Sequence, residues 1–347
     1  ADMELPALVA VVAVGVTAAP ACRVRQAAVT SAQALAQIAS GGPELARRVA
    51  ETPAALPTLV AAVAAGGAAA APSLQGAALN SAQALAEIAG AHPRLARRVA
   101  EVPRALATLI TALAAGSARA TPSMQVMAKN SAAVLAYISR ADPELARRVA
   151  EVPGALAALV NAMAAGGAAA ALSLQGAAAN SSMALAHISR ADPELAWRVA
   201  EVPGALATLS TAVMAGCATP APVLQRAAAG NSAIVLGMIA EADPELARRV
   251  AEVPGAVAAL AAVLASRGFV AENCAMALGV IAQAGPALAR RVAEVPGALA
   301  ALAAAAVAGG AAAAKSAMAL GVIAEASPEL ARRVAEVPGA LAALAAA

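Results

Sequence analysis

The chain has 347 residues, of which 61% are hydrophobic and only 1% aromatic, so its core is built from alanine and small aliphatic side chains rather than rings. A net charge of +3, from 24 basic and 21 acidic residues, is too small over this length to make the phosphate-binding patch of a nucleic-acid binder. Cys22, Cys217 and Cys274 are odd in number, far apart and without ligand spacing, which argues against a disulfide framework or metal site and for small core residues.

At the start of the chain, the apolar run from Leu5 to Cys22 has the look of a signal-peptide core. However, Leu5-Pro6-Ala7-Leu8-Val9 matches Leu56-Pro57-Thr58-Leu59-Val60, and both runs lead into Ser-Ala-Gln-Ala-Leu-Ala. The run is therefore a repeat element. Its later copies are clearest in Asp192 to Leu209, DPELAWRVAEVPGALATL, whose proline recurs at Pro43, Pro93, Pro143, Pro193, Pro244, Pro286 and Pro328. The steps are 50, 50, 50, 51, 42 and 42 residues. Such a period marks a solenoid, in which each unit buries its apolar face against its neighbours. Residues 1–347 are expected to form one array, with units of 50 to 51 residues up to about residue 243 and of 42 thereafter.

Punctuation divides each unit into three helices. The first is short: Asp192, or Asp142, Asp243 or Ser327 in its place, is the expected N-cap, proline fills the first turn, and Glu194 sits at the positive end of the helix dipole. Arg147 and Arg148 lie toward its other end, with Arg147 four residues before Glu151 and placed to pair with it. The paired arginines are read as a solvated or inter-repeat salt-bridged surface. Trp197, in place of an arginine, is expected on the exposed face.

A Val-Pro-Gly break, as at Val152-Pro153-Gly154, ends the first helix and turns the chain sharply. The second helix follows, as in Ala155 to Met163, with Leu156 and Leu159 inward. An Ala/Gly-rich connection, such as Ala164 to Ala171, leads to Pro20, Pro72, Pro122 or Pro222, or to Leu172, at the start of the third helix. That helix, for example Ser73 to Ala89, is the longest, with Leu79, Leu85 and Ile88 as its buried side. The last repeats lose about eight residues in the connection, so the 50-residue steps imply a longer loop or an extra turn. Long uncharged runs such as Val295 to Ala314 are broken by Pro296 and Gly309-Gly310 at a fixed phase of the repeat, so no membrane span is expected.

Asp192-Pro193, Gly204-Ala205-Leu206 and Ala184-Leu185-Ala186-His187-Ile188 together resemble the armadillo repeat, and the resemblance covers the whole chain. It implies an all-α, right-handed superhelical α-solenoid of about seven three-helix units, cut at both ends without polar caps. A fragment of a longer array and end-to-end association with other chains both accommodate such ends.

In armadillo proteins the third helices line a concave groove, where an asparagine near the end of each holds the backbone of an extended peptide. The resemblance carries that role onto Gln37, Glu87, Tyr137, His187, Met238, Val280 and Val322, none of which is asparagine. The tryptophan often found one turn earlier is replaced by Gln33, Gln83, Ala133, Met183, Ile234, Met276 and Met318. Both departures argue against importin-like recognition of basic peptides. An asparagine ladder exists one turn further back, in Asn80, Asn130, Asn180, Asn231 and Asn273, with Thr30 and Lys315 at its ends. These asparagines either bond neighbouring helices or contact a partner. The groove positions change from polar in early repeats to Met and Val in late ones, and an apolar concave stretch suits a bound helix or peptide.

Catalysis has little support. His92 is read as a helix-start residue and His187 as a groove residue, and no Ser/His/Asp set, metal cluster or phosphate loop occurs. The expectation is a non-catalytic intracellular scaffold, cytoplasmic and without cofactor or metal, that binds a protein or peptide in its groove. The rival is a structural subunit built permanently into a large cytoskeletal, ciliary or organellar assembly.

Overall fold

The computed structural model describes residues 4–17, 22–67, 70–118, 121–167, 170–216, 223–264 and 269–346, and among them there are 22 α-helices and no strand. Two compact units divide the chain, Ala1–Ala191 and Asp192–Ala347. Each is an all-α solenoid stack of the three-helix repeat.

In unit 1 the first helices are Pro43–Glu51, Pro93–Glu101 and Pro143–Glu151, and the second helices are Glu4–Thr17, Ala55–Ala65, Ala105–Ser117 and Ala155–Ala165. The third helices are Cys22–Ser40, Pro72–Ala91, Pro122–Ala141 and Leu172–Ala191, each packed along the next. Unit 2 repeats the order, with third helices Val223–Ala242, Phe269–Gln283 and Ala311–Glu325. Third helices of 20 residues in the longer repeats become 15 residues in the last two. Most of the extra length is therefore helix. Pro20 and Pro222, expected at third-helix starts, lie outside the described residues, as does Cys217; Cys274 is fully buried.

The short first helices start as their sequence dictates. The carboxylates of Asp142, Asp192 and Asp243 accept the backbone N–H of Glu144, Glu194 and Glu245 at 2.8, 2.9 and 2.7 Å, which satisfies one orphan donor of the first turn. His92 does the same through Nδ1, which accepts the Arg94 N–H at 3.1 Å. The break after each first helix is a type II turn: the Ala155 N–H donates to Val152 O at 3.0 Å, Pro153 sits at the second position, and Gly154 has φ 78 and ψ 0. In the repeat where Arg104 holds that glycine's place, the helices on either side, Pro93–Glu101 and Ala105–Ser117, are bent by 93°. Ala54 and Arg104 take the left-handed conformation there at φ 59 and 64.

Alanine and glycine set the packing distance. A Cβ added to Gly66, at the end of a second helix, would lie 2.1 Å from the Ala78 Cβ, and one on Gly166 would lie 2.3 Å from the Ala178 Cβ. Second and third helices therefore touch at near-backbone separation. Leucines and isoleucines fill what remains, as Leu135, Ile138, Leu145 and Leu159 are fully buried, each contributing roughly 1.5–3 kcal/mol relative to exposure. Leu85 and Ile88 are fully buried as expected, but Leu79 is only partly so, and Ala78 and Ala82 supply the rest of that buried side. Trp197 is half-buried rather than exposed. Val223–Ala242 is the one unbroken described helix long and apolar enough to cross a membrane, and 67% of that stretch is buried inside the protein, as in a core helix.

A candidate groove on the third helices

The paired arginines divide their work between repeats. The second of each pair reaches back one repeat: Arg98, Arg148 and Arg249 donate to the carbonyls of Ala50, Ala100 and Ala200, each at 3.1 Å, and Arg333 to that of Ala293 at 2.8 Å. Those carbonyls lie in the last turn of the preceding first helix, where the helix dipole is negative and carbonyls lack intrahelical donors. The first arginine forms ion pairs. Arg97 bonds Asp142 and Arg290 bonds Glu329 in the next repeat, whereas Arg47 and Arg248 clasp the glutamates three before and four after them. Those clasps lower the Glu44 and Glu245 carboxyls and raise the arginines. The expected inter-repeat salt bridges are therefore present, accompanied by carbonyl caps.

On the third helices, Asn80 and Asn180 bond across repeats. Asn80 Nδ2 donates to Val29 O and Asn180 Nδ2 to Lys129 O, both at 3.1 Å. Each bond ties a third helix to the one before it. Asn130 and Asn273 are buried at this level, while Asn231 is half-buried. Seven residues further along, on the same helix face, Gln37 is exposed and Glu87, Tyr137, His187, Met238, Val280 and Val322 are half-buried. Met276 is half-buried too, with its Cε 3.8 Å from where a Gly237 Cβ would be.

Tyr137 has the best-defined seat in unit 1. A Cβ on Gly90 of the preceding third helix would lie 2.9 Å from its Cε2, so the ring rests on that helix. The Arg140 guanidinium lies 5.2 Å from the ring centroid, within cation–π range. On the next third helix, burial holds the His187 imidazole below its ordinary range, and Arg190 and Arg140 add to the effect. Arg140 and Arg190 are not among the residues that sequence reasoning singles out. Their signal is their spacing, each three residues after a groove residue in an Ile-Ser-Arg sequence. Among the described residues no group of three His, Cys, Asp or Glu side chains could hold a metal ion.

Solved structures with this arrangement decide the fold. A computationally designed armadillo repeat protein for modular peptide recognition superposes with TM-score 0.61 at 24% identity, covering 80% of this chain and 99% of its own. The chain has the armadillo repeat fold. An engineered protein matches the armadillo stack more fully, with TM-score 0.65 at 17% identity over 97% of this chain and 88% of its own. A designed armadillo repeat protein in complex with the peptide (KR)4 matches at TM-score 0.59 and 22% identity, over 80% of this chain and 99% of its own. No protein-family model matches the sequence, and no curated protein does.

Proposed function

We propose that this armadillo chain is a non-catalytic scaffold that binds an extended segment of a partner protein along its third helices. The carrying observation is the part-exposed row of Gln37, Glu87, Tyr137 and His187 on third helices held side by side in unit 1. Asn80 and Asn180 support it indirectly: their bonds to Val29 and Lys129 fix the register of the helices that present the row. Designed armadillo proteins of the same fold are described as made for peptide recognition, and one was solved with a peptide bound. Selection of a random peptide library on the immobilised chain tests the reading. Enriched peptides should lose binding to a Tyr137→Ala/His187→Ala variant, and enrichment that ignores those changes contradicts it.

The assembly-subunit reading draws support from apolar side chains left in solvent near the ends of second helices and the starts of third ones. Leu172 is 73% exposed, Val223 70% and Val307 61%. A subunit of that kind would self-associate when isolated. Light scattering over a concentration series separates the two readings, because a peptide receptor should stay monomeric.

A further inference from the structure

Resting on the groove reading, we propose that the third-helix surface of unit 1 takes an extended acidic peptide whose carboxylates meet Arg140 and Arg190. The charge distribution carries this. Third helices of unit 1 hold Arg23, Arg25, Lys129, Arg140 and Arg190 against Glu87 alone. In unit 2 the balance reverses, with Arg226 and Lys315 against Glu241, Glu272 and Glu325. The small net charge of the whole chain conceals this difference, because the remaining 17 basic and 17 acidic residues cancel.

Geometry makes the cations available. Arg140 and Arg190 occupy the same place in consecutive repeats, both are exposed, and neither makes an ion pair among the described residues. Glu241 stands at that place in the following repeat, so the motif is not a property of the repeat as such. Arg140 is held over Tyr137, whose ring is itself held against Gly90. A guanidinium ordered before binding loses less rotamer freedom when it takes up a carboxylate, and its planar fork matches that group. Lys129 adds a further cation on the same helix, its stem lying across Gly176 of the next one.

Spacing limits the occupant. Adjacent packed helices lie about 8–10 Å apart, and extended chain advances about 3.3 Å per residue. Acidic residues two or three positions apart would therefore reach both arginines. Arginine-mediated charge complementarity of this kind selects partners and speeds encounter more than it adds raw affinity.

The test is fluorescence anisotropy with labelled Glu-Ser, Gln-Ser and Lys-Ser repeat peptides of equal length, and a labelled oligothymidylate. The Glu-Ser peptide should bind about tenfold or more tighter than the Gln-Ser peptide, and more weakly as salt rises. An R140Q/R190Q variant, with unchanged thermal unfolding, should lose that preference, and R140E/R190E should transfer it to the Lys-Ser peptide. Equal or tighter binding of Gln-Ser or Lys-Ser by the wild type overturns the inference and leaves the groove reading standing. A Glu-Ser preference that survives R140Q/R190Q overturns it too, as does oligothymidylate binding as tightly as Glu-Ser. If none of the three peptides binds, the inference is overturned, while the groove reading fails only if the random library also yields no binder.

Discussion

The guanidinium of Arg148 donates to the carbonyl of Ala100, 48 residues earlier, at 3.1 Å, across the boundary between two repeats. Neither residue looks exceptional in sequence. Together they convert an unpaired helix end into an inter-repeat contact that recurs at Arg98, Arg249 and Arg333.

Removing that contact should be measurable. Arg148→Met keeps the apolar stem but leaves the part-buried Ala100 carbonyl without a charged donor, and should cost about 1–2 kcal/mol. Arg47→Met breaks only an exposed clasp to Glu44 and Glu51, so it should leave stability unchanged within error. Urea midpoints of the two variants compare them directly. Equal losses would mean that the carbonyl cap adds nothing.

Ala54 and Arg104 occupy the left-handed turn position that glycine fills in five other repeats, at Gly154, Gly204, Gly255, Gly297 and Gly339. A side chain there costs roughly 1–2 kcal/mol, partly offset by the larger unfolded-state entropy of glycine. Ala54→Gly and Arg104→Gly should each stabilise the protein by about 0.5–1 kcal/mol. Gly154→Ala should do the reverse. Midpoints that move the other way would show that the turn tolerates a β-carbon without strain.

Gly116 marks a helix contact too close for any side chain. Its added Cβ would lie 2.2 Å from Met124 O and 2.6 Å from the Ala128 Cβ, so Gly116→Ala must push the second and third helices apart, at about 1–3 kcal/mol or more. Gly67 faces open space, and Gly67→Ala is the matched control. Thermal unfolding should fall for the first and not for the second.

These relationships explain what the sequence discloses and what it does not. Helix starts at Asp142, Asp192 and Asp243 and the type II turn at Pro153-Gly154 are local, each decided by residues within a few positions, and they are legible. The partner of Arg148 lies in another repeat, so spacing alone shows only a charged surface. Periodicity assigns Leu79 to the core, yet alanines close the helices so tightly that a leucine at the edge of the stripe stays partly in solvent. The asparagine ladder is visible as a pattern, but only the neighbouring helix shows that Asn80 and Asn180 donate to backbone carbonyls. Arg140 escapes notice in the sequence because its significance depends on Tyr137 lying beneath it.

His187 links the groove to pH. Its folded imidazole is held below the ordinary value of about 6.5 by burial, then by Arg190 and Arg140. The unfolded chain therefore binds a proton that the folded chain refuses, and stability falls as pH drops below that ordinary value until the folded imidazole also protonates. Above it, His187 contributes no pH dependence. Wild type should lose stability relative to His187→Gln between neutral and mildly acidic pH, with His92 present in both proteins and cancelling. Parallel urea midpoints across that range would contradict this account.

Photo-crosslinking locates the partner that we propose along the third helices of the armadillo stack. Benzoylphenylalanine is placed at Tyr137 on a third helix and, separately, at the exposed Arg97 on a first helix, and each protein is irradiated with a peptide selected on the wild-type chain. A partner in the groove gives adducts from position 137 and not from position 97. Adducts from position 97 alone, or equally from both, would place the partner elsewhere and contradict the proposal.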